Sequence, residues 1–310
     1  MLDQFSQLWD RSGLKRAGAV SVALVAVLAV VVSAGGGGGV SDRSLISRAS
    51  ADDDGGRSVE LLAARKPRGA GRAKKHCLRK EHVREARHFA EIRSGSIGFA
   101  VYDECGRVVG VHRNRVFSSA SVVKVMLLTA YLRRGDVSRR DLTGEEKATL
   151  GAMITVSDNK AADEVFAAVG EAGLNEVADA ADMANFVPSS SWGGSGITAA
   201  DQAAFLGRLE RFVPKRHEGY AAKLTRSVIP DQTWGVADVK PEGWTIGFKG
   251  GWYMAPDGWR VNQVARLTLE KKGRDRSFAL AVLTDQNASF QYGRETIAGI
   301  AKRLMEGYRR

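Results

Sequence analysis

The stretch FSSASVVKVMLLTAYLRRG, residues 117–135, runs from small hydroxyl side chains straight into an apolar helix. Lys124 lies within that apolar run, three residues after Ser121, so the two side chains share one face of the predicted helix. A helix that packs into a core has no structural need of an ammonium at this position. Lys124 therefore either extends its amine to water or is held beside Ser121 for a chemical reason.

The chemical interpretation is that the pair is a nucleophile and its base. Ser121 falls in the first turn of the predicted helix, where free backbone N–H groups and the helix dipole favour developing negative charge. A serine hydroxyl becomes a good nucleophile when a neighbouring base takes its proton. A lysine can be that base if burial lowers its pKa. A single S-x-x-K is weak evidence, because Ser157 and Lys160 repeat the spacing and an ordinary helix start explains it equally well.

Two further motifs follow the first along the chain. S-V-V-K (121–124) is succeeded by S-D-N (157–159) between two predicted helices and by K-G-G (249–251) in a predicted strand. S-x-x-K, S-D-N and K-T-G, in this order, are the signature of class A β-lactamases and penicillin-binding proteins. From about residue 80 to 308 the chain resembles that superfamily of penicillin-recognising serine hydrolases. Within it, the chain resembles exported β-lactamase-related serine hydrolases of actinobacteria, whose third motif reads K-x-G-W, as KGGW does here.

The resemblance implies a role for each motif residue. Ser121 would be the acylated nucleophile and Lys124 its general base. Ser157 would pass a proton to the leaving amine, and Asn159 would bind the substrate amide and Lys124. Lys249 would bind the substrate carboxylate and lower the pKa of Ser157.

The rest of the third motif, Gly250, Gly251 and Trp252, would line the substrate site. The backbone N–H groups of Ser121 and Trp252 would form an oxyanion hole, worth about 3 kcal/mol per donor. The implied reaction is attack on a β-lactam or D-alanyl-peptide amide through an acyl-Ser121 intermediate.

Two departures from the family pattern bear on that reaction. Gly250 stands where a threonine or serine usually helps to hold the substrate carboxylate. The loop 185–197 carries no acid, whereas class A β-lactamases hydrolyse the acyl-enzyme with a loop glutamate. The residues therefore support acylation but not fast deacylation. The alternative is a D,D-peptidase, or a catalytically slow module that binds penicillin or cell-wall peptide.

The order of predicted elements gives the fold class. One helix and two strands are followed by helices from about 119 to 228, then by three strands and a closing helix. This order predicts an α+β fold: a five-stranded antiparallel sheet covered by helices, with an all-helical lobe inserted between strands 2 and 3. Thr143 and Glu146 predict a capping box, and Gly170 is expected to end the helix after S-D-N. The predicted strands are 96–103, 107–113, 243–254, 260–272 and 276–286, and the predicted first and last helices are 82–93 and 293–310.

The N-terminal region predicts export. A basic flank precedes residues 17–34, an apolar run without charge, so residues 1–34 are expected to be a signal peptide or membrane anchor. Residues 35–80 are expected to be a flexible linker and 81–310 the folded domain. Eight Lys or Arg between 65 and 80 supply most of the formal charge of +11. They favour contact with an anionic cell wall or membrane over nucleic acid, although solubility alone also explains them.

The two cysteines are expected to pair. About 20 Å of helix (80–92) followed by about 23 Å of strand (97–103) would return Cys105 to the neighbourhood of Cys77. The five histidines show no metal spacing, so neither metal nor cofactor is expected, and the protein is expected to be a monomer. Five tryptophans near the motifs either pack in the core or line the cleft; they are Trp192, Trp234, Trp244, Trp252 and Trp259.

Overall fold

The computed structural model describes residues 76–270 and 275–308. The predicted signal peptide or anchor (1–34) and nearly all of the predicted linker (35–80) lie outside the described residues. Among the residues that are described, no helix combines the length and the hydropathy that a membrane span requires.

The elements follow the predicted order. Helices α1 to α7 span Lys80–Glu91, Lys124–Arg133, Gly144–Thr155, Asn159–Ala180, Ala199–Gly207, Glu218–Arg226 and Phe290–Glu306. Strands β1 to β7 span Ser96–Tyr102, Val108–Val111, Val116–Ser118, Gly196–Thr198, Thr245–Ala255, Gly258–Leu269 and Arg276–Asn287. The main sheet has the order β2-β1-β7-β6-β5 and every pair is antiparallel. The predicted fold class is therefore confirmed, with the helical lobe lying between β2 and β5.

Several local features differ from the prediction. The helix after S-D-N reaches its predicted end at Gly170, where φ 63° and ψ −172° break the helical backbone, but a second helical segment that was not predicted continues from there to Ala180. Glycine tolerates this conformation, and Leu174 and Val177 of the second segment are buried in the core. The short strands β3 and β4 pair outside the main sheet and were not predicted. The helix predicted to begin at 82 starts earlier, at Lys80.

The sheet has a hydrophobic core on each face. In β7, Leu280 and Val282 point into the core shared with α1 and α7, whereas Ala281 and Leu283 point into the core shared with α2. This alternation is the two-residue period of a strand that is buried on both sides. Helix α2 is buried almost all round, so a polar side chain in its first turn cannot reach solvent along the helix surface.

A disulfide joins the chain before α1 to the turn between β1 and β2. Cys77 and Cys105, the predicted pair, are joined with a Cα–Cα distance of 5.3 Å. Leu78, within the segment assigned to the linker, is buried, and its N–H donates to Asp103 Oδ2 at 3.2 Å. The chain just before α1 is thus fixed to the β1–β2 turn.

Candidate active site

Ser121 lies in a 3₁₀ turn, Ala120–Val123, that leads directly into α2. Ala120 adopts a positive φ of 47°, an uncommon conformation for a residue with a β-carbon, so the chain turns sharply just before the serine. The incoming strand is fixed to the sheet because Asn262 Nδ2 donates to Ser118 O at 2.8 Å. The sequence predicted the first turn of an α-helix, and the observed turn is tighter.

Lys124 begins α2, and its side chain is completely buried. Its amine donates to two backbone carbonyls, Ser157 O at 2.7 Å and Asp158 O at 3.2 Å. It also donates to Asn159 Oδ1 at 2.8 Å and to Ser157 Oγ at 3.3 Å. Of the two interpretations of this lysine, extension to water is excluded. All of its hydrogen-bond partners belong to the S-D-N turn.

Lys249 reaches the same hydroxyl from the sheet. Its side chain is completely buried in β5, and its amine donates to Ser157 Oγ at 2.9 Å and to Gly250 O at 2.9 Å. A hydroxyl has two acceptor lone pairs and one proton to donate. Because both lysine amines donate to Ser157 Oγ, the hydroxyl proton of Ser157 is left to point elsewhere. Ser157 is held there with a φ of 58°.

Burial lowers the pKa of both amines. The pKa of Lys124 falls from 10.5 to about 7 because burial outweighs the attraction of Asp158 and Asp163, whose carboxylates favour the charged form. Burial, and then the like charge of Lys124, holds the pKa of Lys249 well below its ordinary value. A lysine that titrates near neutral pH can accept a proton from a serine hydroxyl, which an ordinary surface lysine cannot do efficiently.

The glycine at 251 lets the sheet touch the nucleophile turn. A β-carbon at Gly251 would lie 2.6 Å from Ser121 N and 2.8 Å from Val122 N, closer than atoms can approach. Among the described strands β5 pairs with β6 alone, so its other edge carries backbone groups that no described strand pairs with. This edge brings Trp252 to the turn that carries Ser121.

The ring of Trp234 leaves no room for a side chain at Gly250. A β-carbon at Gly250 would lie 2.8 Å from the Trp234 ring, which is buried. The indole of Trp234 packs edge-on against Trp252 and Phe290, with centroid distances of 5.7 and 5.5 Å. The space beside residue 250 is thus filled by an aromatic cluster, where the family usually carries a hydroxyl side chain.

The tryptophans divide into three groups. Trp192 lies over Lys124, with 4.8 Å between the ring centroid and the amine. Trp234, Trp252 and Trp259 all contact Phe290. Trp244 packs against Phe278 and Tyr308 in the core and does not line the site.

Asp163 is an acid at the site that was not predicted from the sequence. Its Oδ1 accepts a hydrogen bond from Trp192 Nε1 at 2.7 Å, and its charge acts on Lys124. Asp163 lies four residues after Asn159 on α4, so helical spacing could have placed the two on one face. Within residues 76–270 and 275–308, no group of three or more His, Cys, Asp or Glu side chains could hold a metal ion.

Comparison with known proteins agrees with this architecture. A class A β-lactamase from Mycobacterium abscessus superposes with a TM-score of 0.59 at 20% identity, covering 73% of this chain and 99% of that one. A β-lactamase from Sphaerobacter thermophilus gives 0.62 at 20% identity, covering 73% and 96%. The TLA-1 extended-spectrum β-lactamase gives 0.64 at 15% identity, covering 74% and 98%. At these identities the likeness shows the fold.

The family is shown by the sequence itself. No curated protein matches the chain significantly. The model of the beta-lactamase enzyme family matches residues 140–308, more than half of the chain. The matched range contains S-D-N and K-G-G, and S-V-V-K lies just before it. The chain belongs to the beta-lactamase enzyme family.

Proposed function

We propose that the protein is a serine hydrolase that attacks a β-lactam or D-alanyl-peptide amide through an acyl-Ser121 intermediate. The observation that carries the proposal is the Ser157 hydroxyl, which accepts hydrogen bonds from both Lys124 and Lys249. Burying a lysine amine costs several kcal/mol, and neither lysine donates directly to a carboxylate among the described residues. Two such amines at one hydroxyl, beside a serine on a sharp turn, are explained by chemistry rather than by stability.

The proposed acylation moves protons through these groups. The neutral Lys124 amine takes the proton of Ser121 as the serine oxygen attacks the amide carbon. The resulting oxyanion accepts hydrogen bonds from the N–H groups of Ser121 and Trp252. The carbon–nitrogen bond then breaks, and the leaving nitrogen takes the proton of Ser157, which the protonated Lys124 replaces with the proton that it took from Ser121. The products are an ester on Ser121 and a free amine.

A slow acyl-enzyme is the second candidate, favoured by one region of the structure. The loop 185–197 brings no acid to the site, and its Trp192 ring lies over the Lys124 amine. A penicillin-binding module needs no attack of water on the ester, and a D,D-peptidase needs no rapid attack on the ester that a β-lactam forms. The rate of deacylation decides between a hydrolase that turns over β-lactams and a slow acyl-enzyme.

We also propose that the protein acts as a monomer outside the cytoplasm, with no cofactor. The apolar run 17–34 after a basic flank supports export. The Cys77–Cys105 disulfide supports an oxidising compartment, where such bonds persist. The basic residues between 65 and 80 would then hold the domain near an anionic cell wall or membrane.

A fluorescent penicillin tests the proposed reaction. The wild-type domain is incubated with the probe beside Ser121→Ala, and Ser138→Ala, beyond the far end of α2, is the matched control. We expect covalent label on wild type and on Ser138→Ala but none on Ser121→Ala. Label that persists indicates the slow acyl-enzyme, and label that disappears with β-lactam hydrolysis indicates turnover. A folded wild-type protein that takes no label contradicts the proposal.

A further inference from the structure

The loop 185–197 places one large side chain in the candidate site. The half-buried Trp192 ring lies 4.8 Å from the Lys124 amine, measured to the ring centroid. Its Nε1–H donates to Asp163 Oδ1 at 2.7 Å. The indole therefore covers the base with its face and engages the nearby carboxylate with its edge.

The same loop is hydrogen-bonded to Ser118 and Ser119, just before the nucleophile in the chain. Ser119 N donates to Ser195 O at 2.8 Å, and Ser119 Oγ donates toward Trp192 O and Gly193 O at 3.4 and 3.2 Å. Ser118 Oγ donates to Gly193 O at 3.2 Å. Ser119 is completely buried, so these bonds are shielded from water. The backbone at Trp192 is thus held in register with the turn that carries Ser121.

The charged groups that face Lys124 come from two neighbouring elements. Asp158 and Asp163, at the start of α4, favour the protonated Lys124 amine, and the charge of Lys124 in turn lowers the pKa of Lys249 in β5. The loop 185–197 contributes no charge. It contributes apolar cover, which favours the neutral amine, and a ring face, which favours the cation. Burial is the largest influence on the pKa of this amine, so the cover outweighs the ring face.

We propose that Trp192 is a positioning residue that covers the Lys124 amine, so that water does not reach this base and the acyl-Ser121 ester is long-lived. This inference rests on the proposed function. The Lys124 amine is completely buried and lies beneath the indole ring. Asp163 is exposed, and by accepting the indole N–H it holds the ring over the amine. The loop thus protects the ester that the other residues make.

The test compares Trp192→Ala and Trp192→Phe with wild type. Trp244→Phe is the matched control, because it removes an indole that lies away from the site. After labelling with fluorescent penicillin and removal of free probe, the loss of label is followed with time, and the labelling rate is measured against pH. For Trp192→Ala we expect label to be lost about tenfold faster and the midpoint of labelling to rise by about one pH unit, since the amine becomes hydrated. Trp192→Phe keeps the ring and should restore the midpoint.

The rate of labelling and the rate of label loss are expected to change in opposite directions. A general destabilisation of the fold would not produce this pattern. At pH 7 the Trp192→Ala variant should acylate more slowly and lose its label faster. Trp244→Phe should change neither. A Trp192→Ala variant with wild-type label lifetime and wild-type midpoint overturns the inference while leaving the acyl-Ser121 proposal intact.

A second measurement needs no acyl-enzyme. The proteins are treated with acetic anhydride at about pH 9, where the Lys124 amine is neutral in every variant, and acetylation of Lys124 is quantified by peptide mapping. We expect Lys124 to be modified about tenfold faster in Trp192→Ala than in wild type or Trp244→Phe. Equal modification in all three overturns the inference even if wild type takes no penicillin label, a result that by itself would contradict only the proposed function.

Discussion

The two walls of the candidate site are built in different ways. The strand wall, β5, is fixed by close packing, since a β-carbon at Gly250 or Gly251 would meet other atoms at 2.8 or 2.6 Å. The loop wall, residues 185–197, is fixed by hydrogen bonds to its carbonyls, and a β-carbon at Gly193 would meet nothing within 4 Å. The strand wall therefore defines the position of the reacting groups, whereas the loop wall governs what reaches them afterwards.

The largest effect is expected where the strand wall touches the nucleophile. Gly251→Ala places a methyl group against Ser121 N, so either β5 or the turn must move, and with it the proposed oxyanion hole. We expect the acylation rate to fall about 100- to 1,000-fold, the range for loss of one oxyanion donor. The measurement is the rate of covalent labelling by a β-lactam.

The same substitution on the loop wall is the matched control. Gly193→Ala meets open space and leaves the carbonyl of Gly193 in place, so labelling should stay within about twofold of wild type. If the Gly251→Ala variant is labelled as fast as the Gly193→Ala variant, close packing of Gly251 does not fix the turn that carries Ser121.

A smaller effect is expected at Gly250, where the neighbour is a ring rather than backbone. Gly250→Thr restores the usual family residue but forces its β-carbon against buried Trp234. We expect the free energy of unfolding to fall by about 1–3 kcal/mol, the usual cost of overpacking. Urea unfolding measures it, with Gly151→Thr, in open space on α3, as the control.

The cause can be checked with a double mutant. Because the two residues are in contact, Gly250→Thr should cost less in a Trp234→Leu background than in wild type. Equal costs in both backgrounds would mean that Trp234 is not the reason for the glycine.

Much of the fold could be predicted because the signals are local. The predicted strands and the capping box at Thr143 are encoded within single segments, and the capping box is present as predicted. The helix end at Gly170 could be predicted because glycine favours such positions, whereas the helical segment that follows it, in which Leu174 is buried, was not predicted. Strands β3 and β4 are too short to show a period.

The site could be predicted only as far as its motifs extend. Ser157, Lys124 and Lys249 meet as the motif order implies. The roles of Trp234 and Asp163 depend on distances between segments that are far apart in sequence, and no local pattern encodes them. The acid-free loop was visible in the sequence, but the position of Trp192 over Lys124 was not.

The two buried lysines show why the chemistry depends on pH. Lys124 lies near two carboxylates, which hold its pKa at about 7 against burial. Lys249 has a like charge beside it instead, so its pKa is lowered further in the same direction. As pH rises through 7, the Lys124 amine loses its proton and becomes able to accept one from Ser121. Acylation should therefore rise with pH and level off above about 7.

The most direct test is the rate at which a β-lactam acylates the protein between pH 5 and pH 10, followed by intact mass and mapped by peptide digestion. We expect one adduct, on Ser121, and a rate of adduct formation that rises with pH with a midpoint of about 7. No adduct at any pH, an adduct on another residue, or a midpoint near the ordinary lysine value of 10.5 would contradict this expectation.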